Sequence, residues 1–319
     1  MRVLVTGANG FVGRATVQSM AKKGHSVVAQ SRHMPAERWA TDSSITSCVA
    51  DFAPPHIIHA ALQGCDWAVH TVARVHQTNE AAANPLEAYR KVNTQYTLAL
   101  AQAAAKQGIK RFVFLSSIKV HGEWTENGRP FAADNMTMPK DPYAISKHEA
   151  EVGLRRIAAE TGMEVVIVRP PLVYGPGVKA NFLTMMEWLQ RGIPLPLGAI
   201  DNQRSLVGLG NLVDLLEKCL AHPAAANQTF LASDGQDVST TELLRALAKA
   251  LGVPARLLPV PQAWLEGALG AMGRGALAQR LCGNLAVDIE KTRQLLDWTP
   301  PYTLAQGLQA TADHFLAQR

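Results

Sequence analysis

Seven residues near the start of the chain, Gly7-Ala8-Asn9-Gly10-Phe11-Val12-Gly13, constrain its fold more than any other stretch. They come after a short β-branched run, Val3-Leu4-Val5, and open an apolar-periodic segment reaching about Lys23. A strand, a glycine turn and a helix in that order make the first half of a βαβ unit. Gly7 permits the tight turn, and Gly10 lets a pyrophosphate approach the backbone. Gly13 lets the helix pack closely on the sheet. The helix N-terminus then presents free N–H groups and a positive dipole end to phosphate. Three glycines in seven residues can also be a plain turn, so the pattern of the downstream chain decides between the two.

The downstream chain alternates. Strands are predicted at His25 to Gln30, Ile45 to Val49, Trp67 to His70, Arg111 to Leu115 and Glu164 to Val168. Helical patterns lie between them, the longest from about Pro85 to Gln107 and from Pro142 to Thr161. Strands alternating with helices imply right-handed crossovers and a parallel, doubly wound α/β sheet. After Arg169-Pro170-Pro171 glycine and proline become frequent, and helical patterns occur near 211–222, 240–251 and 303–316. The expectation is a dinucleotide-binding Rossmann domain over 1–170. A smaller, mostly helical substrate-binding domain over 171–319 would cover the carboxyl ends of the strands, with the option of returning strands or helices to the first.

Composition narrows the class. Of 319 residues 47% are hydrophobic and 18% charged, which provides a sizeable core and argues against disorder. No run of 18 apolar residues occurs, so no spanning helix is expected. The first residues read as a strand rather than a signal peptide, and a cytoplasmic location is expected. Cys48, Cys65, Cys219 and Cys282 are scattered without metal or redox spacing, so free thiols and no metal are expected. The net charge of +5 suits an anionic ligand or an ordinary basic surface. No basic block with interleaved aromatics points to nucleic acid.

The second strand ends in Gln30-Ser31-Arg32-His33, without the Asp or Glu that would hold an adenosine ribose 2′-hydroxyl. Ser31 and Arg32 are suited to a 2′-phosphate. This tilts the cofactor toward NADP(H), with a neutral site accepting both NAD and NADP as the alternative. Asp51-Phe52, after the third strand, are placed to meet the adenine, or Asp51 is only a turn residue. Tyr143 and Lys147 lie four apart at the start of a helix, on one face. An ammonium beside a phenol favours the phenolate and lets it work as a general acid or base. Phe114-Leu115-Ser116-Ser117, some 26 residues earlier at the end of the fifth strand, offers a serine hydroxyl that can hydrogen-bond the substrate oxygen. Asn93 could order a water beside Lys147 or be an ordinary helix-surface residue.

Taken in order, these motifs resemble the extended short-chain dehydrogenase/reductase superfamily, specifically the NAD-dependent epimerase/dehydratase family. The resemblance rests on Gly7, Gly10 and Gly13, on Asp51, His70-Thr71-Val72-Ala73 and Asn93, and on Ser117, Tyr143 and Lys147. Arg169-Pro170-Pro171-Leu172-Val173-Tyr174-Gly175-Pro176 completes it. It covers essentially the whole chain. It implies that Tyr143 is the acid/base, Lys147 its tuner and a ribose ligand, and Ser117 the oxyanion partner. Phe11, Val12, Thr71, Val72, Ala73 and Pro170 would join the glycines around the cofactor. It also implies a nucleotide-diphosphate sugar as substrate, met by Asn181, Phe182 and Arg204, and a homodimer. A surface role is the alternative for Arg204. Departures occur: His121 stands for the usual Tyr before Gly122, Ser205 for an Asp, and Asn211 for a downstream Asp, with Asp214 three further on.

More narrowly, Ser116-Ser117-Ile118-Lys119-Val120 with Pro194-Leu195-Pro196-Leu197-Gly198 resembles a bacterial surface-polysaccharide branch. Lys119 and Arg74 are candidates to face the substrate. The expected activity is NAD(P)H-dependent reduction of a UDP-4-keto-6-deoxy-N-acetylhexosamine. The alternatives are a UDP-sugar 4-epimerase, another ketone reductase, or a regulatory binder without turnover, which would tend to lack the Tyr or the Lys.

Overall fold

The structure, a computed structural model, describes residues 1–33, 42–50, 55–75, 84–135 and 137–318, with 55–58 described by backbone alone. Its first half is built from short strands, most of them near-continuous apolar runs of the kind buried on both faces, with the exposed edge strand Ile45–Val49 as the exception. These are β1 (Arg2–Thr6), β2 (Ser26–Ser31), β3 (Ile45–Val49), β4 (Trp67–His70), β5 (Arg111–Leu115) and β6 (Glu164–Arg169). Later come β7 (Leu172–Tyr174), β8 (Arg204–Gly208), β9 (Thr229–Leu231) and β10 (Asp237–Val238). The main sheet has seven parallel strands in the order β3-β2-β1-β4-β5-β6-β9. A second sheet, β10-β8-β7, pairs β8 parallel to β7 and antiparallel to β10.

The helices are α1 (Phe11–Lys22), α2 (Pro55–Leu62), α3 (Pro85–Tyr89), α4 (Thr97–Lys106), α5 (Pro142–Thr161) and α6 (Ala180–Gln190). They continue as α7 (Leu209–Ala221), α8 (Thr240–Leu251), α9 (Gln262–Ala271), α10 (Gly275–Cys282), α11 (Glu290–Leu296) and α12 (Leu304–Ala317). Alternation along each strand sorts side chains onto two faces. Val3, Val5, Val27, Val69, Val113 and Val168 face α1 and α7 in one core. Leu4, Val28, Ala68, Phe112, Phe114 and Ile167 face α4 and α5 in another. A third core holds Tyr174, Phe182, Leu206, Leu244 and Leu308, from the second half of the chain.

The second half is not separate from the first. After Arg169 the chain builds β7, α6 and β8, then returns through α7 and β9 to the main sheet. Leu212, Leu216 and Phe230 sit in the same core as Val3 and Val5. Arg111, at the start of β5, donates from one Nη to the carbonyls of Cys219 (2.9 Å), Leu220 (2.8 Å) and His222 (2.7 Å), capping α7.

The long helix predicted from Pro85 to Gln107 is three pieces: α3, a π-helical stretch over Arg90–Tyr96, and α4. Wider turns of this kind concentrate at functional sites, and this one carries Asn93. All four cysteines are free. Among the described residues no helix is long and apolar enough to cross a membrane, and no acidic, His or Cys cluster could hold a metal.

Candidate active site

The strand order reverses between β1 and β4, and ligands of open α/β sheets bind outside the carboxyl ends at such a point. A cleft of about 430 Å³ opens there. Gly7, Asn9, Gly10, Gln30, Arg32 and Arg74 line it, together with Ser31, His33 and the Thr71-Val72-Ala73 segment.

The glycine loop is shaped for a close backbone approach. Gly7 has φ +76°, and a side chain there would meet the Thr71 hydroxyl at 2.8 Å. A Cβ on Gly13 would lie 2.2 Å from the Gly7 carbonyl oxygen. Thr71 holds the opposite wall by donating to the Thr6 carbonyl at 2.7 Å. The first-turn amides of α1, at Phe11, Val12 and Gly13, have no partner within the helix and are directed at this space. The Val12 side chain packs on the core, so its contribution to a ligand is the amide.

Gln30, which lines the cleft, donates its amide to the Ala50 carbonyl (2.7 Å), and its buried Oε1 has no partner among the described residues. The glycine cradle fits the pyrophosphate of a dinucleotide. Ser31 differs from expectation. It is buried and donates to the His33 carbonyl at 2.6 Å, so its hydroxyl is already committed to its own turn. Arg32 is exposed at the rim. No carboxylate lines this cleft among the described residues. Asp51 and Phe52 lie outside the described residues.

The catalytic candidates come together at the ends of β5 and α5. Asp141 caps α5 by accepting from the Tyr143 amide at 3.1 Å, and Pro142 occupies the first turn, which sets Tyr143 at the helix mouth. Burial pushes the Tyr143 phenol up to about 12, against a hydrogen bond with Ser117 that favours the phenolate. Lys147 is fully buried. Its ammonium donates to the Leu115 carbonyl at 2.9 Å and lies 4.5 Å from the centroid of the Phe114 ring. Burial pulls it down to about 7, opposed by the negative charge of Glu151.

Asn93 accepts the Arg74 amide (2.8 Å), donates back to the Arg74 carbonyl (3.1 Å) and donates to the Ser146 hydroxyl (3.0 Å). It thereby clips the loop after β4 onto α5. Arg74 lies 5.9 Å over the Tyr89 ring, which meets Tyr143 edge-on at 5.9 Å.

Behind the serines is a charged network that sequence reasoning missed. Glu151 and Arg169 are both fully buried and form a bidentate pair, with Arg169 Nε at 2.9 Å. Ser116 donates to the same carboxylate at 2.6 Å. Burial pushes the Glu151 carboxyl up, and Arg169 more than offsets this, leaving it below the usual range. Arg169 also contacts His121 Nε2 at 2.7 Å. Burial, aided by Arg169, pulls His121 down to about 4, so it is a neutral acceptor and no rival to Tyr143 as acid. A repeat of the four-residue spacing, Tyr143, Lys147, Glu151, was the available signal for this network.

The expected substrate residues divide. Arg204, half-buried, donates to the Gly283 carbonyl at 2.9 Å and has no ion pair among the described residues. Burial lowers its pKa from the ordinary arginine value, a cost that a phosphate beside it would offset. Asn181 is exposed at the start of α6, whereas the Phe182 ring is buried and stacked 5.6 Å from Tyr174, so its side chain belongs to the core. Lys119 is tied to Glu123 (2.8 Å) and Asp141 (3.1 Å) rather than open to substrate. Pro170 is buried, its carbonyl taken by the Ile118 amide. Asn211 grips Asp234 and both polar backbone groups of Tyr302, and Asp214 accepts from Trp298.

Sheet order, glycine loop and the Ser117, Tyr143, Lys147 set define an enzyme of the extended short-chain dehydrogenase/reductase class. Residues 3–232 match the model of the NAD dependent epimerase/dehydratase family, and the chain belongs to that family. It is 45% identical over 316 residues to a UDP-glucose 4-epimerase of Vibrio cholerae, covering 98% of this chain and 95% of that protein. It is 26% identical to an N-acetyl-α-D-glucosaminyl-diphospho-ditrans,octacis-undecaprenol 4-epimerase of Escherichia coli O157:H7, covering 98% and 94%. Its fold matches that of a UDP-glucuronic acid 4-epimerase from Bacillus cereus in complex with NAD. The TM-score is 0.78 at 19% identity, covering 99% of each chain.

Proposed function

We propose that the chain is an NAD-dependent 4-epimerase of a UDP-sugar, acting on UDP-glucose or UDP-N-acetylglucosamine. The observation that carries this reading is the joint presence of Ser117, Tyr143 and Lys147 at the ends of β5 and α5, with Ser117 hydrogen-bonded to Tyr143, in a chain 45% identical to a UDP-glucose 4-epimerase. The reading replaces 4-keto reduction, which the sequence alone had favoured.

A nicotinamide in the cleft supplies the two-electron chemistry. The rest is done by the chain. Tyr143 takes the proton of the sugar hydroxyl as its carbon is oxidised and returns it on reduction. Ser117 holds the same oxygen. Lys147, one helical turn on, favours the phenolate when charged. Gln30, which lines the cleft, would lie beside the adenosine ribose of a bound dinucleotide. Arg204 and the exposed Asn181 receive the diphosphate. A homodimer belongs to the same reading.

The test is incubation of the purified protein with UDP-glucose or UDP-N-acetylglucosamine and NAD, then proton NMR of the anomeric signals. C4 epimers should accumulate to equilibrium without net change in reduced cofactor. Tyr143→Phe should lose about 10²–10⁴-fold in turnover while keeping cofactor affinity. One observation favours a second reading, reduction of a UDP-4-keto-6-deoxy-N-acetylhexosamine with NADPH: Arg32 at the rim of a cleft with no carboxylate among its described lining residues. Stoichiometric NADPH consumption by such a keto sugar, with no epimer from either UDP-sugar, would decide for it. Selective loss of NADPH affinity in Arg32→Ala would agree.

A further inference from the structure

The hairpin of α9 and α10 presents a surface that the monomer does not use. Only Leu265, Leu269, Ala278, Leu281 and Cys282 turn inward to the core. Outward, Trp264 is 74% exposed, Met272 61%, Leu258, just before the hairpin, 51%, and Leu277 40%. Ala263, Ala268, Ala271 and Ala276 are exposed among them. A helix surface in contact with water ordinarily carries Lys and Glu, and a contiguous apolar patch marks an interaction site. Gly267 and Gly270 sit inside α9 although a Cβ at either would meet nothing within 4 Å. Glycine is unfavourable in a helix interior, and packing within this chain gives no reason for it here.

Positive charge predominates along this segment. Exposed Arg274 and Arg280 lie within the hairpin and exposed Arg256 just before it, against the single acid Glu266. Glu266 is engaged by Gln262 at 2.9 Å. Tryptophan, small apolar residues and arginines on one short helical unit are what an anionic lipid interface selects, with rings at headgroup depth and guanidinium groups at the phosphates. The location fits as well. The end of α10 is stitched to the start of β8, where Asn202 donates to the carbonyls of Leu281 and Gly283, and Arg204 donates to Gly283. The hairpin therefore borders the substrate side of the molecule, one hydrogen bond away from Arg204.

We infer that the α9–α10 hairpin docks this enzyme on an anionic phospholipid surface, with Trp264, Met272, Leu258 and Leu277 entering the headgroup region and Arg256, Arg274 and Arg280 pairing with lipid phosphates. The docking is peripheral and reversible, and it holds the substrate-side mouth next to the bilayer. It does not depend on which sugar is turned over.

The experiment is co-sedimentation of the full chain with vesicles of phosphatidylcholine alone or mixed with phosphatidylglycerol. Binding is expected to the mixed vesicles and to fall with salt. One arginine lost near an anionic surface is expected to weaken it about fivefold. Trp264→Asp with Met272→Asp should abolish binding, with circular dichroism and turnover of a water-soluble substrate unchanged. Tryptophan quenching by lipids brominated in the acyl chain should be seen in the wild type and fall in Trp264→Phe. Absence of binding to mixed vesicles would overturn the inference, as would binding that the double variant leaves intact. Concentration-dependent self-association that the double variant abolishes, without vesicle binding, would assign the hairpin to a second copy of the chain instead.

Discussion

Glu151→Gln tests how the buried charges support the site. In the wild type the carboxylate accepts from Ser116 at 2.6 Å, from two nitrogens of Arg169, and from Arg155 at 3.3 Å. Arg155 is 41% exposed, and water can replace its contact, so it contributes about 0–1 kcal/mol. Arg169 is 1% exposed and Glu151 fully buried, so removing the negative charge strands a buried guanidinium at a cost of roughly 3–5 kcal/mol. In a chain of this size the melting temperature should fall on the order of 5–10 °C. A second effect separates this from simple loosening. Glu151 holds the Lys147 pKa up, and without it that value drops below about 7. The charged Lys147 is present below its pKa and lost above it, so the alkaline limb of the pH–rate profile moves to lower pH. The assays are differential scanning calorimetry and turnover across neutral pH. A variant with an unchanged melting temperature and an unchanged alkaline limb would refute the reasoning.

Three further outcomes are expected. Gly13→Ala places a methyl 2.2 Å from the Gly7 carbonyl oxygen, so isothermal titration should show loss of dinucleotide binding while the sheet persists by circular dichroism. Arg204→Ala should raise KM for the nucleotide sugar about 10- to 100-fold with kcat little changed, since a charge-assisted contact is worth about 1.5–3 kcal/mol. An unchanged KM would mean that its bond to Gly283 is its only role. His70 and His121 are held neutral by burial, below the free value of 6.5. The unfolded chain then binds more protons, so stability is lost as pH falls from about 6.5 toward 4. Urea unfolding across that window should show a gentler slope for His121→Gln.

How far the sequence could be read depends on the physics of each element. The central strands of the first half were legible because burial on both faces demands apolar runs such as Arg111-Phe112-Val113-Phe114-Leu115, whereas the exposed edge strand Ile45–Val49 was legible from its β-branched residues. β9 was not, since Thr229-Phe230-Leu231 is three residues long and takes its identity from pairing with β6. Spacing proposed the Tyr143 and Lys147 pair and the family resemblance added Ser117, and the structure places Ser117 in hydrogen-bond contact with Tyr143. The fate of single polar side chains was not. Ser31 faced a cleft by position, yet its hydroxyl closes a local turn. Asn93 lay on a helix by periodicity, but only the π-helical stretch brings it to Arg74. Phe182 was placed with the substrate because it comes directly after Asn181, and the helix turns its ring to the opposite side. Spacing identifies which residues share an element; which face meets a ligand is decided by packing of distant segments.

The return of β9 to the main sheet has a consequence for synthesis. While a ribosome is still adding the roughly 60 residues between Arg169 and Thr229, β6 is an open edge with its outer row of peptide groups unpaired. At ordinary elongation rates that interval lasts about 3–12 s. Through it Arg111 also lacks the Cys219, Leu220 and His222 carbonyls that will cap it. The nascent chain is thus a catalytic cleft almost fully encoded on an unfinished scaffold, and a transcript cut short before Leu231 yields a sticky sheet rather than a smaller enzyme.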